Sequence, residues 1–294
     1  MGEIRAGVNG SVAAVSISGF TFCRNVVAFD YPIVESIHSI LPIVDEYVVN
    51  VGRSDDGTLD LLRSIRDPKI KIVETEWDET LRRDGLIFSQ QTNLALAQCK
   101  GDWAFYLQAD EVVHEDDLGS VLNSLEQVNP RHDVLGLLFR YLHFKGDYWS
   151  IDPWSYHWEV RLIRNDGRLR SIIDACGFGR VDDPSARNLK DGPRRRLARS
   201  GARIFHYGHV KDPAVLVRKK RYQASRQVVP ESDRRMLDRE AWEFETYDIL
   251  KEFRGTHPAV MVERVSRSAR LRPRRNRWLN WRFYREVFAH GFKG

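Results

Sequence analysis

Apolar and polar positions along the chain follow two distinct periods. Val12–Phe20 (VAAVSISGF), 46–51 and 69–74 are short runs rich in β-branched or small residues and read as core strands. Between them Val34, Ile37, His38 and Leu41 recur at helical spacing after Pro32, a residue suited to a helix start. Residues 58–66 form an amphipathic pattern behind the polar turn at 52–57, and Leu94-Ala95-Leu96-Ala97 within 90–98 suits a helix lying on a sheet. Trp103–Leu107 is a fourth strand and 115–127 a further helix. Strands and helices alternating at this rhythm predict an α/β fold with a mainly parallel, doubly wound sheet. Residues 134–144 and 158–164 read as β segments with aromatic flanks. Beyond Ile204–Tyr207 the character changes: 213–229 and 237–253 read as polar helices, and an arginine-rich helix starts at Trp278. The pattern divides the chain into an α/β domain, 1–210, and a helical extension, 211–294.

The run from Trp103 ends in two adjacent acids, Asp110 and Glu111. Open α/β sheets place their ligands at the carboxyl ends of strands. Carboxylates there suit a hard divalent cation, which can neutralise a diphosphate. That reading points to transfer from a nucleotide-activated donor. Acids also favour the first turn of a helix, so a capping role is the alternative.

Composition narrows the setting. The chain has 294 residues, 42% of them hydrophobic, enough for a substantial core. Its 46 basic and 41 acidic residues nearly balance, but acids crowd 102–117 while arginines crowd 194–199 and 264–285. Cys23, Cys99 and Cys176 are widely spaced and show neither metal-ligand nor redox-pair spacing, which predicts reduced thiols. No apolar stretch reaches the length of a membrane span, and 1–10 lacks a secretory core, so a cytoplasmic protein, at most peripheral to a membrane, is expected.

Three motifs stand in order along the chain. They are Val48-Val49-Asn50-Val51-Gly52-Arg53-Ser54-Asp55-Asp56-Gly57-Thr58, then Gln90-Gln91-Thr92-Asn93-Leu94-Ala95-Leu96, then Gly101-Asp102-Trp103 leading to Gln108-Ala109-Asp110-Glu111. The set resembles the family 2 glycosyltransferases of GT-A fold, whose members typically read D-x-G-S-x-D-G-T, a-x-x-x-N-x-A-L and G-D-W-x-x-x-L-D-A-D-E at these places. The likeness spans roughly residues 12–180 and looks closest to bacterial members that decorate lipopolysaccharide cores and other surface glycans. His206-Tyr207-Gly208-His209 and Gly255-Thr256-His257-Pro258 look like features of one bacterial subgroup.

The resemblance implies a Rossmann-like central sheet flanked by helices, with a donor-binding half over about 12–111 and an acceptor half over about 112–210. It implies a metal-assisted, inverting transfer from a nucleotide sugar to a hydroxyl of a surface glycan or its lipid-linked precursor. Phe20, Arg24, Asn25, Asn50, Gly52, Gln91, Gln108 and Ala109 would line the donor site. Mg²⁺ or Mn²⁺ would sit on Asp110, assisted by Glu111 or His206. The base would be a carboxylate near the acceptor, Asp174 or Glu159. Two departures weaken the metal site: Asn50-Val51 stands where an aspartate usually meets the nucleotide, and Gln108 replaces the first acid of D-x-D. A rival acceptor is a hydroxymethylated base of phage DNA, and a rival class is a non-catalytic module that holds a nucleotide or glycan.

Two aromatic groups complete the reading. Trp149, Trp154, Tyr156 and Trp158 would form either a sugar-stacking platform or loop anchors. In 264–292, Arg272, Arg274, Arg275, Arg277, Arg282 and Arg285 interleave with Trp278, Trp281, Phe283, Tyr284 and Phe288. That segment would dock on an anionic membrane, contact nucleic acid, or cover its own domain.

Overall fold

The computed structural model describes residues 15–81, 83–183, 185, 187–228, 231–245, 247–271 and 277–291. The amino-terminal half runs β1 (Ile17–Cys23), α1 (Ile33–Ile40), β2 (Glu46–Gly52), α2 (Thr58–Arg63), β3 (Ile70–Thr75), α3 (Leu86–Leu96) and β4 (Trp103–Tyr106). Its four strands are parallel, in spatial order β4-β1-β2-β3. β1 lies inside, with Phe20 in register with Val48 on one side and Tyr106 on the other. A strand paired on both edges and covered on both faces needs a near-continuous apolar run, which is what its sequence supplies. Helices flank this sheet, as the alternating pattern predicts.

The second half mixes directions. It comprises β5 (Glu111–Val113), α4 (Leu118–Val128), β6 (Gly136–Lys145), β7 (Ser150–Ile151), β8 (Trp158–Arg164), β9 (Leu169–Ile172), β10 (Gly177–Arg180) and β11 (Leu197–His209). β8 runs antiparallel between β4 and β6. β11 lies parallel to β6 and antiparallel to β5, and β9 with β10 forms a separate two-stranded sheet. The chain continues through α5 (Pro213–Ala224), α6 (Glu231–Arg234), β12 (Lys251–Glu252), α7 (Val262–Ser266) and α8 (Trp281–His290). Asp212 caps α5 by accepting from the amides of Ala214 and Val215, with Pro213 in the first turn.

Four expectations shift. The first strand is displaced toward Cys23, and 12–14 lie outside the described residues. α3 starts at Leu86, earlier than its apolar pattern indicates. The acids after β4 do not open a helix: Glu111 starts β5, and α4 begins only after a 3₁₀ turn at Glu115–Asp117. No helix spans 237–253; the described residues there are mostly turns, one 3₁₀ turn at Tyr247–Ile249, and β12. Trp242, Phe244, Tyr247 and Leu250 instead bury themselves with Leu216 and Val217 of α5 and with Met236 in a satellite core, and their spacing fits no single helix face.

The three sequence motifs are largely architectural. The amide and hydroxyl of Ser16 donate to Asp102 at 2.9 and 2.7 Å, tying the start of β4 to that of β1. A Cβ on Gly101 would stand 2.7 Å from the Ser18 amide nitrogen, so the strands approach there only without a side chain. Asp56 accepts from the Ala28 amide at 2.7 Å, and Thr58 accepts from that of Val26 at 2.9 Å, holding the loop after β1. Asn93 on α3 accepts from the amide of Ser171 at 2.7 Å, fixing β9.

The turn after β4 is locked from beneath. Arg161 on β8 donates to both Glu111 oxygens at 2.8 Å, and the Tyr141 hydroxyl donates to one of them at 2.7 Å. Both charged side chains are wholly buried. Arg161 also donates to the Cys176 carbonyl at 2.8 Å, so one guanidinium joins β8, β5 and the loop after β9. Removing one partner of such a pair strands a buried charge. Arg161→Met is expected to lower unfolding free energy by about 3–5 kcal/mol in urea titration. A loss under about 1 kcal/mol, the range of an exposed pair, would refute the assignment.

Candidate active site at the strand tips

The carboxyl ends of β1, β2 and β4 converge with the loop after β9 and with α5. Gln108 and Glu111 close a tight turn through two backbone-centred bonds, Gln108 N–H to Glu111 Oε2 at 3.1 Å and Glu111 N–H to the Gln108 carbonyl at 3.0 Å. The Gln108 side-chain amide donates to the Ala175 carbonyl at 3.2 Å, which brings Asp174 beside the tip of β4. Asp174 is part-exposed and accepts from the Cys176 amide at 3.2 Å. Its neighbours Ile173 and Ala175 both have left-handed backbones, with φ of 52° and 63°. For a β-branched residue such as Ile173 that conformation is strained. Strain held on both sides of one carboxylate is characteristic of functional loops.

Asp110 lies almost out of solvent at the centre of the site. Its Oδ2 accepts from the Lys219 ammonium of α5 at 2.9 Å, and its Oδ1 lies 3.8 Å from His206 Nε2. Burial alone would raise its pKa, but Lys219, His206 and Lys211 outweigh that and hold the carboxyl well below its ordinary range. Burial disfavours the Lys219 ammonium too, yet Asp110 and Tyr31 more than restore it. Lys219 also donates to the Gly208 carbonyl at 3.0 Å. Gly208 is the pivot: a Cβ there would come within 2.8 Å of both His206 Nε2 and Asp110 Oδ2.

The histidines form a relay of fixed tautomers. His143 Nε2 faces the Tyr156 carbonyl at 2.8 Å and therefore carries the proton. His143 Nδ1 is then an acceptor, and the facing His206 Nδ1, 3.0 Å away, must donate to it. Burial, then His206, pushes His143 down to about 3, and burial also lowers His206 despite Asp110 and Glu111. His209 is pushed well down by burial and by Lys220 and Lys219.

The residues singled out from sequence separate into two groups. Arg24, Asn25, Gly52, Gln108, Asp110, Asp174 and His206 sit at the strand tips. The others do not present themselves to the cleft. Phe20 is fully buried between Tyr106 and Phe178, and Ala109 belongs to the main core. Asn50 donates to the Gln91 carbonyl and side-chain oxygen at 2.8 and 3.0 Å and accepts from Thr75 at 2.8 Å, a closed and buried network. Glu159 is buried against Lys190 and Asn188.

A divalent cation fits this arrangement poorly. Glu111 is committed to Arg161 and Tyr141, and the Gln108 amide nitrogen to Ala175. Asp110 and His206 Nε2 remain as donors, but the carboxylate already faces an ammonium. Among the described residues no group of three His, Cys, Asp or Glu side chains is arranged to hold a metal ion.

Beside these tips a cavity of about 440 Å³ is lined by Val51, Gly52, Arg53, Ser54, Thr75 and Glu76. Another, of about 360 Å³ and rich in arginine, opens by Leu135 toward the opposite ends of the strands.

Residues 30–184, more than half of the chain, match the family model for glycosyl transferase family 2. The chain belongs to that family. No curated protein sequence matches it significantly. Among solved structures, TarS of S. aureus is similar at 12% identity and TM-score 0.40, over 76% of this chain and 42% of TarS. Its 1–349 portion is similar at 14% identity over 76% and 70% of the two chains, with TM-scores of 0.37 alone and 0.39 in complex with UDP. The chain thus spans less than half the length of the first of these TarS chains.

Within the family 2 framework, several site residues lack any motif signal. Lys219 and Lys211 lie beyond the matched segment, in and before a helix whose pattern reads as solvated. Phe22 and Trp77 pack together, and the Arg24 guanidinium lies 5.2 Å from the Trp77 ring centroid. Arg24 and Arg226 both pair with Glu79, which draws α5 toward β1. The Trp149–Trp158 group does not form one platform: Trp154 meets Phe283, Trp158 lies under Arg199, and Tyr156 stacks edge-on with His143.

The buried histidines set an acid limit. His257 is held down at about 4 by burial, and His143 near 3, so both are neutral in the fold above those values. Unfolded, each takes up a proton near pH 6.5. The unfolded chain therefore binds more protons between about pH 6.5 and 4, and stability falls as pH drops through that window by up to about 1.4 kcal/mol per unit for His143 and by less for the part-buried His257. Calorimetric midpoints should decline over this range, with a shallower slope in a His143→Gln/His257→Gln variant. An unchanged slope in that variant would reject the two histidines as the cause.

Proposed function

We propose that the chain transfers a sugar from a nucleotide-sugar donor, with inversion, to a hydroxyl of a bacterial surface glycan or its lipid-linked precursor, with Asp174 as the base. The observation that carries this reading is the placement of Asp174: part-exposed, flanked by two left-handed residues, and tied to the tip of β4 through Gln108 and Ala175. Arg24, Asn25 and Gln108 at the tips of β1 and β4 line the donor side. Asp174 takes the proton of the acceptor hydroxyl as its oxygen bonds to the anomeric carbon, and the bond from that carbon to the nucleoside diphosphate breaks on the opposite face. Glu159, the other carboxylate in view, is held by Lys190 and lacks a free oxygen for this step.

Asp174→Asn is expected to slow transfer by about 10²–10⁴-fold while nucleotide affinity changes little. Glu159→Gln should act mainly on stability. Transfer by Asp174→Asn within tenfold of wild type would remove the base assignment.

The same reading gives the carboxyl-terminal segment a role at the membrane where lipid-linked acceptors reside. Of its large apolar residues, Phe283 turns inward against Trp154 and Trp278, whereas Leu279, Trp281, Tyr284 and Phe288 are exposed, Phe288 at 95%. Arg277, Arg282 and Arg285 are on the same segment, while 272–276 and 292 lie outside the described residues. Among the described residues no helix is long and apolar enough to cross a membrane. Exposed rings beside arginines suit the interface of an anionic bilayer. Trp281→Ser/Phe288→Ser should weaken sedimentation with phosphatidylglycerol vesicles at least about tenfold, since each large apolar side chain contributes about 1.5–3 kcal/mol when buried. Equal sedimentation of both proteins, or salt-steep duplex-DNA binding without vesicle binding, would count against the membrane role.

A further inference from the structure

Two buried ammonium groups, Lys211 and Lys219, stand over the ring of Tyr31 beside Asp110. Lys219 is 95% buried by its own fold, and its ammonium meets Asp110, the Gly208 carbonyl and the face of Tyr31. Lys211 is nearly as buried and donates to the Asp30 carbonyl at 2.8 Å. Both ammonium groups stand 4.6 Å from the Tyr31 ring centroid, so they lie no further apart than twice that distance. The third cation, Arg24, is at the tip of β1 and is drawn toward α5 by Glu79, which it shares with Arg226.

Charge accounting makes the arrangement specific. A divalent ion on Asp110 alone would leave one net positive charge, because Gln108 brings none. Lys219 with Asp110 is neutral, and Lys211, pushed down to about 7 by burial and by Lys219, adds its positive charge when protonated, the form an anion beside it would favour. Burying two lysines beside one carboxylate is costly unless an anion completes the set. An ammonium fixed by a carboxylate, a carbonyl and an aromatic face is also pre-positioned, as a charge that stabilises a leaving group must be.

We propose that Lys219 and Lys211 bind the donor's diphosphate, and that Lys219, seated on Asp110, supplies the positive charge expected there of a divalent cation. This rests on the transferase reading for the identity of the ligand, but not for the existence of the anion site. Lys219→Arg keeps the charge in place; Lys219→Met/Asp110→Asn removes both charges, so no buried charge is stranded.

The test is calorimetric binding of inorganic pyrophosphate and of UDP, GDP, CMP and dTDP, with EDTA or with Mn²⁺. Pyrophosphate should bind the wild type in EDTA. It should weaken roughly tenfold to a hundredfold in Lys219→Met/Asp110→Asn and in Lys211→Met, the range expected for losing one charged hydrogen bond, and less in Lys219→Arg. At least one nucleotide should behave likewise, with affinity unchanged by Mn²⁺ within about twofold. No pyrophosphate binding in EDTA overturns the proposal, as does nucleotide binding that requires Mn²⁺ or survives both lysine variants. Pyrophosphate binding with all the nucleotides rejected would keep the anion site and remove the transferase reading instead. Mn²⁺ titrated alone and followed by electron paramagnetic resonance gives a second readout: the wild type should show no bound ion that Asp110→Asn abolishes.

Discussion

The Glu111–Arg161 pair is the constraint from which the site's geometry follows. Glu111 begins the strand that leaves the tip of β4, and Arg161 is the middle of β8, the strand that flanks β4 on its other side. Their two-point contact, with Tyr141 on β6 closing the same carboxylate, joins three strands below the turn. The free corner of the guanidinium then holds the loop after β9 through the Cys176 carbonyl. Asp110 above and Asp174 beside this knot take their positions from it. A planar five-donor group can satisfy a carboxylate and a carbonyl at once, which an ammonium on a flexible stem cannot do with the same rigidity.

Two adjacent acids thus divide into separate tasks. Glu111 points down and is consumed by structure. Asp110, one residue earlier, points up toward α5, His206 and Gly208. The turn makes the division, because Asp110 sits in it and Glu111 already opens β5. Phe20 and Phe22, two apart on β1, share one face of the sheet: the first packs in the core against Tyr106 and Phe178, and the second, nearer the strand tip, against Trp77 and Phe88.

Much of this was legible in the chain, and the reason is local. Apolar runs of strand length, turn residues at 52–57 and the abrupt acids at 110–111 are all contiguous signals, and they announce the α/β core and Asp110. Face and partner are not contiguous signals. Asn50 and Gln91 stand where family motifs place donor contacts, yet register sets them against each other and Thr75. The segment 237–253 has helix-forming composition, but Trp242, Phe244, Tyr247 and Leu250 are claimed by α5, and burial overrides propensity. Lys219 was the least legible of all, since a lysine amid Arg218, Lys220 and Arg221 looks like one more solvated charge. Only the fold reveals that α5 buries Lys219, and Lys220 beside it, along with Leu216 and Val217.

The reach of α5 has a temporal side. Asp110 and Lys219 are 109 residues apart in sequence. At ribosomal rates of about 5–20 residues per second, the carboxylate emerges roughly 5–20 s before its counter-charge. During that interval the strands can pair, but Asp110 remains an acid with no cation above it. Hydration of that carboxylate opposes closing the tip of the sheet over it, so the nascent protein is held open at its own site until the last third of the chain arrives. The synthesis order thereby places the closing of this site after the whole α/β core has emerged.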